Sequence, residues 1–284
     1  MGSIRQSLAI AAVLGMAFAT PAIAQDARKQ LMIDDAEGLG TEVGHFPRGA
    51  PGTSTGSPIA YGANWGDVYA GAGFQAPIRY SNASDGSLTV GMGFANAKDF
   101  VGIDVGLNLL STVRSGLTNR MTIGAKIHKL FGDGWGVAVG TQGIYVTNKP
   151  TDSDGDPAFY GVVSHVWDLQ GTWFSDFKSL TLSLGAGNET FRTESDIRTD
   201  DKTIGVFGSA ALRLMDQIAV IVDWPGQDLN IGVSIVPFKN FPLVLTPAIV
   251  DVTGQAGTFS TPQFPVNSTA RPRFSLGAGM AIRF

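Results

Sequence analysis

The sequence contains no cysteine, and only 15% of its 284 residues are charged. Without cysteine there is no disulfide scaffold, no cysteine zinc site, no iron–sulfur cluster and no thiol nucleophile. The charged fraction lies well below the roughly 25% that is usual in soluble domains. The formal net charge of −4 leaves no basic surface, so we expect no nucleic acid among the partners.

Long apolar runs are also missing. After residue 25 there is no stretch of 18 uninterrupted apolar residues, so the sequence predicts no transmembrane helix. Before it, the single positive charge of Arg5 precedes an apolar run over residues 8–19, followed by Pro21 and the small residues Ala22 and Ala24. This order is typical of a cleaved secretory signal peptide, which we assign to residues 1–25.

Glycine is abundant, with 37 residues, and apolar residues alternate with small or polar ones. Residues 101–109 place Val, Ile or Leu at every second position, with Gly, Asp or Asn between them. Residues 86–95, 179–187 and 272–284 show the same alternation. Because successive side chains of a strand point to opposite sides, each segment has one aliphatic face and one small or polar face. A closed barrel with lipid outside and a narrow interior accommodates both faces.

The fold class is therefore predicted to be all-β, a closed antiparallel transmembrane β-barrel of about 12 strands. The connections between the segments alternate long and short in nearly every case, as in bacterial barrels with long outer loops and short periplasmic turns. Residues 225–227 and 170–177 depart from that rule, which leaves 10 or 14 strands as alternatives. The predicted strands are 66–75, 86–95, 99–112, 119–130, 133–146, 158–169, 178–187, 203–214, 216–224, 228–237, 241–252 and 272–284.

Residues 26–65, ahead of the predicted barrel at 66–284, are rich in glycine and proline and predict an irregular arm. The composition favours a periplasmic tail. A constriction folded into the lumen is the alternative.

The last strand ends on Phe284 after Met280, Ile282 and their small or charged neighbours. This ending resembles the C-terminal signal of Gram-negative outer-membrane β-barrels, which implies recognition of Phe284 by the barrel assembly machinery. The stretches 221–230 and 247–254 also look like uncharacterised bacterial outer-membrane barrel proteins. The resemblance implies a location in the bacterial outer membrane and no particular activity.

The alternation assigns seven charged side chains to the interior, five of them cationic. Such an excess lowers the entry barrier for anions if the pore is open. Pairing of the same charges across the lumen would instead close a narrow barrel. The candidate pore-lining residues are Arg120, Lys126, Arg213, Arg273, Arg283, Asp104 and Asp223.

No catalytic constellation is evident, and we expect neither enzyme activity nor a cofactor. Ser164 and His165 are adjacent, so on a strand they point to opposite faces and cannot form a dyad. His165 is nonetheless assigned to the inward face together with neutral polar residues. Asp152, Asp154 and Asp156 begin like a calcium loop but lack its later glycine and glutamate, so a solvated acidic loop is favoured over a metal site.

Two functions follow from this sequence. The first is a narrow passive channel for small solutes, anions among them. The second is a closed structural or surface-interaction barrel whose acidic loops contact lipopolysaccharide or another partner. A lipid-modifying enzyme is the least supported. The expected partners are outer-membrane lipid, lipopolysaccharide, the barrel assembly machinery and a small solute.

Overall fold

A computed structural model of the protein describes residues 50–79, 83–110, 112–113, 120–148, 156–170, 172–254 and 272–284. Within these ranges, twelve antiparallel strands form one closed barrel, which confirms the predicted fold class and strand number. The strands are β1 (Asp67–Ala76), β2 (Asp85–Phe94), β3 (Gly102–Leu110), β4 (Arg120–Leu130), β5 (Trp135–Thr147), β6 (Ala158–Asp168), β7 (Ser179–Gly187), β8 (Gly205–Met215), β9 (Ile218–Trp224), β10 (Asn230–Ile235), β11 (Val244–Val250) and β12 (Arg273–Arg283).

Every strand pairs with its neighbours in sequence, and β1 closes the barrel against β12. Their register runs from Asp67 opposite Arg283 to Ala76 opposite Phe274. We call the end where β1 begins and β12 ends the proximal end, and the opposite end the distal end. Closure leaves no unpaired strand edge, which is the condition for a sheet to lie in lipid.

Side chains alternate between the two faces of the wall as the sequence predicts. In β3, Asp104 and Asn108 are buried inside, whereas Ile103 is exposed outside. The alternation shifts within β5, where the left-handed backbone of Gly143 (φ 75°) accompanies a register irregularity against β4. Tyr145 consequently lies opposite the buried Thr122 and faces the interior.

Several interior glycines lie beneath aromatic rings of neighbouring strands. A Cβ on Gly91 would lie 2.3 Å from the Tyr69 ring, and one on Gly185 would lie 2.3 Å from Phe207 Cζ. A Cβ on Gly140 would lie 2.4 Å from the Tyr160 hydroxyl. These glycines therefore provide the space in which inward rings fold against the wall.

Replacing Gly185 by alanine is expected to lower the free energy of unfolding by about 1–3 kcal/mol, the usual cost of inserting a methyl group into filled space. Gly161 lies on the neighbouring strand, and a Cβ there would meet only the Ala138 carbonyl oxygen, at 4.0 Å. Gly161→Ala is therefore the matched control. Urea titration of the barrel in detergent, followed by gel mobility, measures both; equal losses would contradict the ring-contact explanation.

The connection between β7 and β8 carries the helical structure of the distal end. It contains a 3-10 turn, Glu189–Phe191, and a short helix α1, Glu194–Thr199. The Thr193 hydroxyl oxygen accepts a hydrogen bond from the Asp196 backbone amide and caps the helix. Hydrogen bonds from the Thr203 and Thr193 hydroxyls hold the pKa of the Asp196 carboxyl below its ordinary value. Among the described residues no helix is long and apolar enough to cross a bilayer.

Candidate functional site: the occupied lumen

The lumen contains the chain's own residues 50–64, which we call the arm. Every residue of the arm is buried. From β1 the arm enters at the proximal end, where the Asn64 side-chain oxygen accepts a hydrogen bond from Ala97 N. It extends to Gly56, where a Cβ would lie 3.7 Å from Pro225 at the distal end. The favoured periplasmic tail is thus incorrect for residues 50–64, which form the constriction.

Lys126 and Asp104 hold the proximal half of the arm. The Lys126 ammonium donates to the backbone carbonyls of Ile59 and Tyr61, and it lies 3.8 Å from Asp104 Oδ2. Asp104 Oδ2 accepts from the Ala63 backbone amide at 3.1 Å. Asp104 Oδ1 accepts from the Tyr69 hydroxyl at 2.7 Å. This interior ion pair is therefore satisfied by the arm and by the wall together.

Asp223 holds the turn of the arm near the distal end. Its Oδ2 accepts from the backbone amides of Thr55 and Ser57, at 3.1 and 3.2 Å, and from the Thr55 hydroxyl at 2.8 Å. Three donors on one carboxylate oxygen form a compact anion site made by the arm itself. The carboxylate charge is thus used to fix the arm and is not displayed to an open pore.

Two serines contact the arm at other heights. Ser164 Oγ accepts from the Ala60 amide at 2.9 Å and lies 2.7 Å from Ser183 Oγ. Ser234 Oγ accepts from the Gly52 amide at 2.6 Å. Because Ser234 lies next to the proximal end of β10, the arm turns back after reaching Gly56. It therefore occupies the lumen as a bend with two limbs.

The connection after β7 packs against the inner wall at the distal end. Phe191 packs against Phe207 with ring centroids 4.5 Å apart, and the Tyr160 ring meets both edge-on. A Cβ on Gly226, whose φ is 111°, would lie 2.2 Å from the Phe191 carbonyl oxygen. The buried Arg192 donates to the carbonyls of Glu189 and Asp201 and pairs with Glu189 Oε2 at 3.0 Å. The loop is thereby fastened inside the distal opening.

Ion pairs join the rim of the distal end. Asp228 accepts from both Arg79 and Arg273, and Arg79 also lies 2.8 Å from Glu194 Oε2. All four side chains are nearly buried, since their exposures are between 6% and 12%. These contacts tie the β1–β2, β7–β8 and β9–β10 connections and the start of β12 to one another.

The seven predicted pore residues are inward but do not form a ring. Lys126, Asp104 and Asp223 contact the arm, as described above, and Arg273 contacts Asp228. Arg283 pairs with Asp67 at 2.8 Å and Arg213 donates to the Asp216 carbonyl, both at the proximal end. Arg120 begins β4 at the distal end. The five cations are therefore spread along the full height of the barrel.

His165 lies outside the barrel, contrary to its assignment from the sequence. Its ring packs against Trp135 in a tilted arrangement and against Trp167 edge-on, with centroid distances of 4.2 and 4.1 Å. The neighbouring Ser164 points inward to the arm. The two residues thus have opposite orientations, as the alternation rule requires. Tyr69, Tyr145 and Tyr160 face the lumen.

The acidic loop predicted as a weak metal site lies mostly outside the described residues. Asp152 and Asp154 are not among them, and of the acidic loop only Asp156 is described. Across the described ranges no group of three potential metal-binding side chains occurs. Phe284 ends the chain at the proximal end, where its amide donates to the Gly66 carbonyl.

The arm residues Thr55, Ser57 and Gly62 contact the wall inside the lumen, and sequence reasoning missed them. One signal was present: residues 50–64 contain no charged side chain and consist largely of Gly, Ala, Ser, Thr and Pro. Such a segment can enter a narrow polar lumen without burying an unpaired charge.

The outer surface of the wall is apolar around the barrel. Aliphatic side chains such as Val90, Val139 and Leu184 are 54–66% exposed. Exposed aromatic residues lie near both ends of the strands, in the positions that interfacial girdles occupy in transmembrane barrels. At the proximal end they are Trp65, Phe94, Phe100, Phe131, Trp135, Trp167 and Phe284, and at the distal end Phe74, Phe159, Trp224 and Phe274.

The chain is similar to solved outer-membrane barrels. The NanC porin is 11% identical, with a TM-score of 0.40, over 76% of this chain and 99% of the porin. The translocator domain of the autotransporter NalP from Neisseria meningitidis is 11% identical, with a TM-score of 0.34, over 94% and 99%. Neisserial surface protein A is 11% identical, with a TM-score of 0.21, over 77% and 96%. No protein-family model and no curated protein matches the sequence.

Proposed function

We propose that the protein is an exported outer-membrane β-barrel that is closed by its own arm. The observation that carries this proposal is the buried path of residues 50–64, held by Lys126, Asp104 and Asp223. The distal loop with Phe191 supports the same conclusion, because it packs inside the other end of the barrel and narrows it. A closed structural or surface-interaction barrel therefore fits the geometry better than a constitutively open channel.

The membrane location is supported by the surface of the wall. A soluble barrel would be destabilised, because a continuous aliphatic belt would be exposed to water. In a membrane, lipid covers that belt. The partners proposed on this basis are outer-membrane lipid and lipopolysaccharide, with the barrel assembly machinery acting on the strand that ends at Phe284.

We expect the mature protein to be found in the outer-membrane fraction and to migrate faster on gels before boiling than after it. A closed barrel resists detergent at room temperature because all its strands are paired, and heating opens it. Recovery in the soluble periplasmic fraction, with one mobility at both temperatures, would exclude the membrane barrel.

A narrow channel for small anionic solutes is the second candidate. One observation favours it. The arm fills the middle of the lumen, and wall residues such as Gly106 and Ser183 are small, so they leave space there. Displacement of the arm would therefore leave a passage containing Lys126. Reversal potentials across a salt gradient test this candidate, since neutralising Arg120, Lys126 and Arg213 should reduce any anion preference.

We also propose that the protein is not an enzyme. Ser164 and His165, the adjacent pair with a nucleophile and a base, lie on opposite sides of the wall. Incubation with labelled phospholipid or lipid A tests this point, and formation of a product would refute it.

A further inference from the structure

The lumen contacts the arm mainly through the arm's peptide groups. The backbone amides of Gly52, Thr55, Ser57, Ala60 and Ala63 each donate to a wall side chain, and the carbonyls of Ile59 and Tyr61 each accept from one. The wall residues that make these bonds come from five strands: Asp104 (β3), Lys126 (β4), Ser164 (β6), Asp223 (β9) and Ser234 (β10). Peptide groups are common to all polypeptides, so this pattern does not depend on the identity of the bound side chains.

The space around the arm restricts side-chain size. A Cβ on Gly62 would lie 2.8 Å from Lys126 Cε and 2.9 Å from the His128 ring. Ala60 lies against Gly136, where an added Cβ would be 3.3 Å from the Ala60 methyl group. Small residues are therefore required at these two positions.

The charge of the lumen restricts the occupant further. Lys126 and Asp104 are an ion pair, and both are at most 4% exposed. Residues 50–64 bring no charge of their own. A charged side chain at this level would be buried without a partner, which is costly.

We infer that the lumen is a binding site for an uncharged polypeptide segment rich in Gly, Ala, Ser and Thr, and that such a segment binds in trans when the arm is displaced. This inference rests on the proposed closure of the lumen by the arm. The ligand class of the lumen is then a polypeptide backbone with small side chains.

The test uses the full chain with Gly62→Leu, which displaces the arm, and a fluorescent synthetic peptide with the sequence of residues 50–64. Gel mobility before and after boiling establishes that the variant is folded. Fluorescence anisotropy should show saturable binding to the variant. Binding to the wild-type protein should be weaker by about a hundredfold, because the tethered arm competes at an effective concentration of order millimolar.

Two matched controls report on specificity. A peptide that itself carries Gly62→Leu should bind at least about tenfold more weakly, since its side chain meets Lys126 and His128. Adding Lys126→Met to the variant protein should weaken binding of the wild-type peptide by about tenfold or more. This is the usual effect of losing hydrogen bonds from a charged donor. Equal binding of the two peptides, or no saturable binding to the folded variant, would overturn the inference.

A second measurement avoids substitutions that affect folding of the wall. In the otherwise wild-type chain with Ser54→Cys, the buried thiol should react slowly with a water-soluble reagent. Excess peptide should accelerate that reaction by at least about tenfold as it replaces the tethered arm. An unchanged rate at saturating peptide would count against binding in trans. Ion conductance of the wild-type protein tests the closure separately, so a closed barrel that binds no peptide refutes this inference alone.

Discussion

Gly62→Leu is expected to convert a barrel without measurable ion conductance into an open channel. The arm backbone passes so close to Lys126 and His128 that even a Cβ at residue 62 would lie within 3 Å of both side chains. Leucine adds four carbon atoms at this point, and the wall cannot recede because its strands are paired around the full circumference. Since the Lys126 and His128 side chains are themselves buried, we expect the arm to leave its site. Planar-bilayer recording of the wild-type and variant proteins measures the change.

Gly132→Leu is the matched control for this experiment. Gly132 lies in the turn between β4 and β5, and nothing lies within 4 Å of a Cβ placed there. The control should stay closed. Conductance in the wild-type protein at the level of Gly62→Leu, or a silent Gly62→Leu variant that is folded in the bilayer, would contradict closure by the arm.

Lys126→Met is expected to release the arm while the barrel stays folded. The substitution leaves the Asp104 carboxylate buried without its cation and removes the donor to the Ile59 and Tyr61 carbonyls. Removing one partner of a buried ion pair typically costs about 3–5 kcal/mol, which favours the released state by about a hundredfold or more. The chain has no cysteine, so a single Ser54→Cys reports the release through its rate of thiol labelling.

Two further variants separate a local effect from general destabilisation. Lys129→Met removes a lysine three residues away whose ammonium bonds to the exposed carbonyl of Lys98, and labelling should not change. Adding Asp104→Asn to Lys126→Met removes the unpaired charge and should recover part of the protection. Labelling that increases equally in the Lys129 and Lys126 variants would show that Lys126 does not hold the arm.

The wall of the barrel could be predicted because strand structure is local and periodic. The alternation in residues 101–109 is a property of nine consecutive residues, and it places Asp104 inside without knowledge of any other strand. The long and short connections likewise gave the correct strand number. Even the irregular turns at 225–227 and 170–177 correspond to real connections, so neither reflects a miscounted hairpin.

The alternation rule failed where both faces of a strand are similar. In β6 the run from Gly161 to Val163 offers no polar contrast, and His165 was assigned to the wrong side. The contact of Ser164 with the arm and the stacking of His165 between Trp135 and Trp167 identify the faces. The Tyr69 ring likewise lies inside, over Gly91 of β2, where its hydroxyl donates to Asp104 two strands away.

The sequence by itself determined the strands and the inward position of the charged residues, because a two-residue period encodes which face a side chain occupies. It could not determine the height of each charge along the barrel, which depends on strand register. It also could not place the arm. Only the tertiary structure brings Lys126, Asp223 and Ser234 around one backbone, because these residues are distant in sequence and meet only when the barrel closes. The lumen is filled for that reason, whereas its wall residues read alone left an anion pore and a barrel closed by charge pairing as alternatives.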